Sequence, residues 1–195
     1  WTVRLEDLLQ DEVQARFRAI WNDPQSLDPA RRRARVTRDV AQTLGTLAKG
    51  LEGRFPSEAI ARFLMRCVFT FFAEDTGLLP ADEFQAALEE WRRDPKEFPA
   101  GLEALWDAMN EGGRWGRKKL LRFNGSLFAE SLALDLDAKE IELLHQAARF
   151  DWAEVDPSIF GTLLESALDP AERHRLGAHY TPRAFVERLL KPSLE

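Results

Sequence analysis

The residues best able to do chemistry in this sequence are cations set in two runs. Arg31, Arg32, Arg33 and Arg35 form the first; Arg114, Arg117, Lys118, Lys119 and Arg122 form the second, interleaved with Trp115, Gly116 and Phe123. Flexible basic loops with aromatics can follow a phosphate backbone, the cations neutralising phosphates and the rings offering stacking faces. Either run alone fits equally well with a solvated surface that balances an acidic chain. The formal net charge of −6 and the pI near 5.3 exclude a module that binds nucleic acid through bulk basicity, so any DNA contact has to come from a local patch.

The remaining reactive groups point mostly to structure. The three histidines, His145, His174 and His179, include no pair at the i, i+4 zinc spacing, and there is one cysteine, so no metal site is expected. Cys67 sits in the apolar run Phe63-Leu64-Met65-Arg66-Cys67-Val68-Phe69 and reads as a small buried hydrophobe rather than a nucleophile. A single cysteine also rules out an internal disulfide and fits a reducing compartment. Glu74-Asp75 stands out because it closes the most apolar helix at the C-terminal end, where the helix dipole disfavours negative charge. An ion pair with an arginine such as Arg66 is the favoured reading, and a catalytic acid the lesser one. No nucleophile elbow, phosphate-binding loop or dinucleotide fingerprint is present.

The elements that must position these groups are helical. Apolar residues recur at helical spacing in Leu5, Leu8, Leu9, Val13, Phe17 and Ile20, then in Val36, Val40, Leu44, Leu47 and Leu51. Pro56-Ser57 opens a third helix, with Ser57 as N-cap and Gly77 as C-terminal cap; it is apolar over more than half its circumference and is expected to be the central buried one. Pro80–Trp91 and Pro99–Asn110 read as two more amphipathic helices. Residues 114–136 read as loop with a short hairpin, the turn signal being Asn124-Gly125. Asp137 with Glu140 has capping-box spacing and starts a helix to about Phe150. Asp156-Pro157, Asp169-Pro170 and Thr181-Pro182 open further helices. The one linker-like stretch is Asn22 to Arg35. No segment approaches the apolar length of a membrane span, and no signal peptide is visible. The expected fold is therefore mainly α, a multi-helix orthogonal bundle with a loop or short hairpin near 114–136 and a helical C-terminal extension.

At four places the residues become specific. Arg66-Cys67-Val68-Phe69-Thr70-Phe71-Phe72-Ala73-Glu74-Asp75-Thr76-Gly77-Leu78-Leu79-Pro80 resembles a stretch of large single-chain restriction-modification enzymes of the MmeI kind and related DNA methylases. So do Phe123-Asn124-Gly125-Ser126-Leu127-Phe128, and Asp151-Trp152 followed by Asp156-Pro157-Ser158-Ile159-Phe160-Gly161-Thr162-Leu163-Leu164-Glu165. The most telling stretch is Leu168-Asp169-Pro170, Arg173 and Leu176-Gly177-Ala178-His179-Tyr180-Thr181-Pro182; Trp21-Asn22-Asp23-Pro24 and Val36-Thr37 also look like the family's opening segment.

The resemblance implies an N-terminal nuclease domain, a helical spacer, a class I methyltransferase domain and a target-recognition domain in one chain. It implies transfer of a methyl group from S-adenosyl-L-methionine to the amino group of an adenine flipped out of double-stranded DNA. On this reading residues 1–35 are a leading helix and linker from an upstream domain. Residues 36–150 are the spacer, and 151–195 lead toward a methyltransferase domain that the chain lacks. The family's Gly-x-x-Tyr-Thr-Pro element maps onto Gly177, Tyr180, Thr181 and Pro182 and implies that they border the cofactor pocket. A loop ending at a helix N-terminus does present free N–H groups and a hydroxyl to a polar ligand, although Thr181 can equally serve only as a helix cap. The Gly-rich cofactor loop and the Asn-Pro-Pro-Tyr-type adenine site are absent from the sequence, so this chain alone is expected neither to bind the cofactor nor to catalyse. The family further implies a cytoplasmic setting in phage defence. Two other readings stand beside it: a purely structural spacer without DNA contact, and a stand-alone helical protein-interaction module.

Overall fold

The computed structural model describes residues 4–116, 118–123, 127–156, 159 and 161. Among them the chain is helical, in the order α1 (Asp11–Asn22), α2 (Pro29–Leu51), α3 (Ser57–Asp75), α4 (Glu83–Arg93), α5 (Phe98–Glu111) and α6 (Ala138–Ala148), with a two-stranded antiparallel ribbon, β1 (Gly113–Trp115) and β2 (Lys118–Leu120), after α5. This is the mainly α bundle expected. The helices expected to follow Asp156, Asp169 and Thr181 lie outside the described residues.

The core forms around α3, whose Ile60, Phe63, Leu64, Cys67, Val68 and Phe71 are all buried. Aromatic rings from other elements close on it in edge-on and tilted contacts, the geometry favoured by ring quadrupoles. Phe63 meets Trp106 of α5 at 5.9 Å between centroids, and Phe71 meets Phe84 of α4 at 5.7 Å and Trp152 at 5.0 Å. Cys67 is fully enclosed and burial pushes its thiol pKa up, so it is the inert hydrophobe anticipated.

A helix enclosed this completely has to satisfy its own polar side chains. Arg66, Thr70 and Glu74 are buried at successive i, i+4 positions of α3. Arg66 donates from Nε to the Leu127 carbonyl at 2.8 Å and from Nη1 to the Leu132 carbonyl at 3.3 Å, while its guanidinium lies over the Trp106 ring. Thr70 Oγ1 donates to the Arg66 carbonyl and accepts from Trp106 Nε1 at 3.1 Å. Apart from the Thr70–Arg66 bond inside the helix, these contacts tie α3 to the 127–132 segment and to α5.

Local signals set most boundaries. Gly77 adopts φ +75° beyond α3, and its N–H donates to the Glu74 carbonyl, closing the helix as expected. Asp137 and Glu140 form a reciprocal capping box at the start of α6. Glu140 also takes Arg54 Nη1 at 2.6 Å, and Arg54 Nη2 reaches the Asp135 carbonyl, so the α2–α3 turn is pinned to the start of α6.

Three expectations are corrected. Ser57 is the first residue of α3 rather than its cap, which is Pro56, and no side chain caps that end. The stretch 22–35 is not a linker: Asp28 accepts from the Ala30 N–H, Pro29 takes the first helical position, and the arginines fall inside α2. Leu5–Leu9 is a separate 3-10 turn preceding α1, not the start of one continuous helix.

Gly101 of α5 lies so close to the Trp91 indole that an added Cβ would overlap the ring. Gly101→Ala should therefore destabilise the chain by about 1–3 kcal/mol through overpacking, despite alanine being favoured over glycine in a helix by roughly 1 kcal/mol. Chemical denaturation checks it; a stabilised variant would contradict the packing described.

Candidate nucleic-acid interface

The second basic run is built on the end of α5. Gly112 follows Glu111 at φ +77°, and a Cβ there would lie 3.3 Å from the Arg122 backbone nitrogen, so this corner needs glycine on both counts. The chain then folds into the ribbon, pairing Gly113 with Leu120, Arg114 with Lys119 and Trp115 with Lys118 around a turn that includes Gly116 at φ +56°. One turn thus falls at Gly116, while Asn124-Gly125, the turn signal expected, lies outside the described residues. The alternation Leu132/Leu134/Leu136 belongs to chain outside any helix or strand, with Leu134 and Leu136 buried and Leu132 exposed.

Side chains alternate across a ribbon. Leu120 is buried and Trp115 half-buried against the core, whereas Arg114 and Lys119 are exposed. The ribbon is held by burial of Leu120, by the Phe123 N–H donating to the Met109 carbonyl at 2.8 Å, and by Arg122 Nε donating to the Asn110 carbonyl at 3.2 Å. The last bond places a cation at the C-terminal end of α5, where it favours the dipole.

The five predicted residues therefore separate. Arg114 and Lys119 form a cationic pair on the outer face, while Arg122 braces α5. Lys118 occupies the register position opposite Trp115, and Arg117 lies outside the described residues. A carboxylate is nearby: Glu83 Oε2 lies 3.8 Å from where a Gly116 Cβ would be.

The first basic run faces acids. Arg32 Nη2 lies 3.0 Å from Glu154 Oε1 and 4.0 Å from Asp151 Oδ2, and Arg33 Nε lies 3.4 Å from Glu154 Oε2. These contacts join the start of α2 to residues 151–154 and reduce the run's value as an anion surface. In the hollow between α3 and residues 127–134, Arg62 bridges Glu58 at 2.6 Å and Glu130 at 3.0 Å, so the exposed charges there largely cancel.

Among the described residues Glu74 and Asp75 form no salt bridge with an arginine. Glu74 accepts the Phe84 N–H at 2.7 Å, and Asp75 accepts the Trp152 N–H at 2.6 Å. Glu74 lies at the end of α3, but it faces the N-terminus of α4, whose N-cap residue, Asp82, caps nothing with its side chain; the dipole that matters is that of α4. Burial is the main cause that raises both pKa values, with the backbone N–H bonds opposing it.

His145 is half-buried on α6, with Nδ1 3.8 Å from Glu89 Oε2, beside a network in which Arg92 links Glu89 to Glu142 across α4 and α6. Among the described residues no group of acids, histidine or cysteine could hold a metal ion, and no helix is long and apolar enough to cross a membrane. Gly177, Tyr180, Thr181 and Pro182 lie outside the described residues, as do His174 and His179.

Comparison with known proteins decides the framework of this site. Residues 58–128, from the first turn of α3 through the ribbon, match the family model "MmeI, helicase spacer domain". These residues are similar to the spacer domain of enzymes of the MmeI kind. The DNA methyltransferase A of Bacillus subtilis (strain 168) is 28% identical over 137 residues, which is 67% of this chain and 16% of that protein. A solved structure of the Type IIL restriction-modification enzyme MmeI in complex with DNA superposes with a TM-score of 0.60 at 29% identity, covering 79% of this chain and 22% of that one. The matched segment holds two of the stretches on which the resemblance rests, 66–80 and 123–128. The chain thus spans less than a quarter of the length of these relatives.

The spacer's buried acids give a pH-dependent expectation. A carboxyl whose pKa is higher folded than unfolded adds stability while protonated and loses it as pH rises through the folded value. Glu74→Gln keeps an acceptor for the Phe84 N–H without the charge. It should therefore be at least as stable as the parent at neutral pH, with the advantage shrinking toward pH 5. Glu74→Ala removes the acceptor and should cost about 1–3 kcal/mol. Thermal melts across that pH range decide; a glutamine variant that gains on the parent as pH falls would contradict the burial argument.

Proposed function

We propose that this chain is the helical spacer of a single-polypeptide restriction-modification DNA methyltransferase, fixing its neighbouring domains and laying the β1–β2 ribbon along the DNA backbone. The observation that carries the DNA contact is the Arg114–Lys119 pair, two like charges held opposite each other on the outer face of an anchored ribbon. Exposed cations on one face of such a ribbon can meet phosphate oxygens. The similarity to an enzyme solved with DNA supports the setting. With a net charge of −6, attraction must be local, and phosphate contact positions a duplex without reading its sequence.

In this reading the parent enzyme is cytoplasmic, takes part in phage defence and methylates adenine, with S-adenosyl-L-methionine supplying the methyl group. Gly177, Tyr180, Thr181 and Pro182 are assigned to one wall of the cofactor pocket through the family's motif. A spacer that acts only as a strut is the second reading, favoured by the Glu83 carboxylate beside the ribbon turn.

Each phosphate contact contributes about −0.9 to the slope of log affinity against log salt on duplex DNA. Arg114→Ser with Lys119→Ser in the full-length enzyme should flatten that slope by about 2, uniformly across sequences. Arg32→Ser with Arg33→Ser, where the guanidiniums face Glu154 and Asp151, should change it little. Equal effects from both pairs would point to bulk charge, and no effect from either would establish the strut.

A further inference from the structure

The least explained surface of the molecule is its N-terminal arm. Among the described side chains of α1 only Val13 is buried, and the helix packs mainly against the 3-10 turns that flank it, Leu5–Leu9 and Pro24–Leu27. Trp21 is 88% exposed, Leu9 84%, Ile20 48% and Phe17 45%. From Val13 through Phe17 to Ile20 and Trp21 the spacing is three and four residues, so these side chains lie along one side of α1, while Leu9 belongs to the 3-10 turn before it.

A helix of 12 residues is marginal by itself and draws its stability from burying such a stripe. Soluble monomers rarely expose contiguous apolar patches beyond roughly a few hundred Å². Exposed tryptophan and phenylalanine are the residues that anchor protein interfaces rather than solvated faces.

We infer that the apolar face of α1 is the seat of another domain of the same polypeptide. This rests on the spacer reading above. The proportions of the relatives argue for that occupant: this chain covers 16% of the length of one and 22% of the other, so such polypeptides carry several times this much chain beyond the matched part. Docking within one chain also suits a patch of this size. A tethered partner is present at high effective concentration, so a few aromatic anchors suffice where a free partner would need a larger interface. α1 would then be a bracket, joined to the bundle through α2 and to the neighbouring domain through Phe17, Ile20 and Trp21.

The test is hydrogen exchange on the full-length polypeptide and on chain 1–195, each with and without Leu9→Ser plus Trp21→Ser. Both side chains are so exposed that their replacement should leave the bundle intact, which unchanged exchange in α3 verifies. The expected result is exchange of residues 11–22 slowed about tenfold or more in the full-length polypeptide relative to chain 1–195, with the slowing lost in the variant. Equal exchange in both contexts would overturn the inference while leaving the spacer reading in place. Protection that rises with concentration in chain 1–195, accompanied by dimer in sedimentation, would make the occupant a second copy and also overturn it. A reading frame that ends with this chain would remove the spacer reading and the inference together.

Discussion

The fold depends on how α3 meets the cost of being enclosed. A helix that presents apolar residues on most of its circumference can be covered on all sides, but Arg66, Thr70 and Glu74 are then shut away from water with it. Each has a definite partner: the carbonyls of Leu127 and Leu132 for Arg66, the Trp106 indole for Thr70, and the Phe84 N–H for Glu74. Buried polar groups left unpaired cost more than paired ones return, so these contacts act less as added stability than as a filter on arrangement. Only a packing that brings the 127–132 segment, α5 and α4 to those three positions leaves nothing unsatisfied. One stripe of side chains thereby sets where three other parts of the chain lie.

A bundle specified in this way suits a connecting element. Its long-range ties, Arg54 to Glu140 and Asp135, Asp75 to the Trp152 N–H, and Arg32 to Glu154, each join segments distant in sequence. The ribbon that carries Arg114 and Lys119 inherits that rigidity through the Phe123–Met109 backbone bond and the Arg122–Asn110 contact. Cations on a rigid mount lose less freedom on meeting phosphate than cations on a loose loop, which makes their position as important as their number.

What could be read from the sequence follows the range of the interactions. The capping box at Asp137 and Glu140 and the left-handed Gly77 are contained within a few residues, and both were legible. The mainly α architecture and the buried status of α3 follow from periodicity alone. Asp28-Pro29 carries the same cap-then-proline signal that Asp156-Pro157 does, but the arginines that follow it resemble linker composition and hide the start of α2. The partner of Glu74 was not legible because it is a backbone N–H at the start of the next helix, and Arg66 finds carbonyls 61 and 66 residues away. For the ribbon, the basic run was visible in the sequence, but its division was not. Which cations face outward depends on strand register, and that is fixed by Leu120 reaching the core and by a turn at Gly116 with no strong dipeptide signal. The family motifs were legible as residue strings, and those within 58–128 coincide with the matched spacer domain.

The central functional claim, that the outer face of the ribbon lies against duplex DNA, is tested most directly by cross-linking. The full-length enzyme bound to DNA would be treated with a short-range reagent joining lysine amines to nucleic acid, and the attached peptides identified by mass spectrometry. The spacer reading with DNA contact predicts a cross-linked peptide containing Lys119, suppressed at high salt as phosphate contacts are screened. Cross-links throughout the rest of the enzyme with none in residues 113–120 would contradict it and leave the domain as a strut alone.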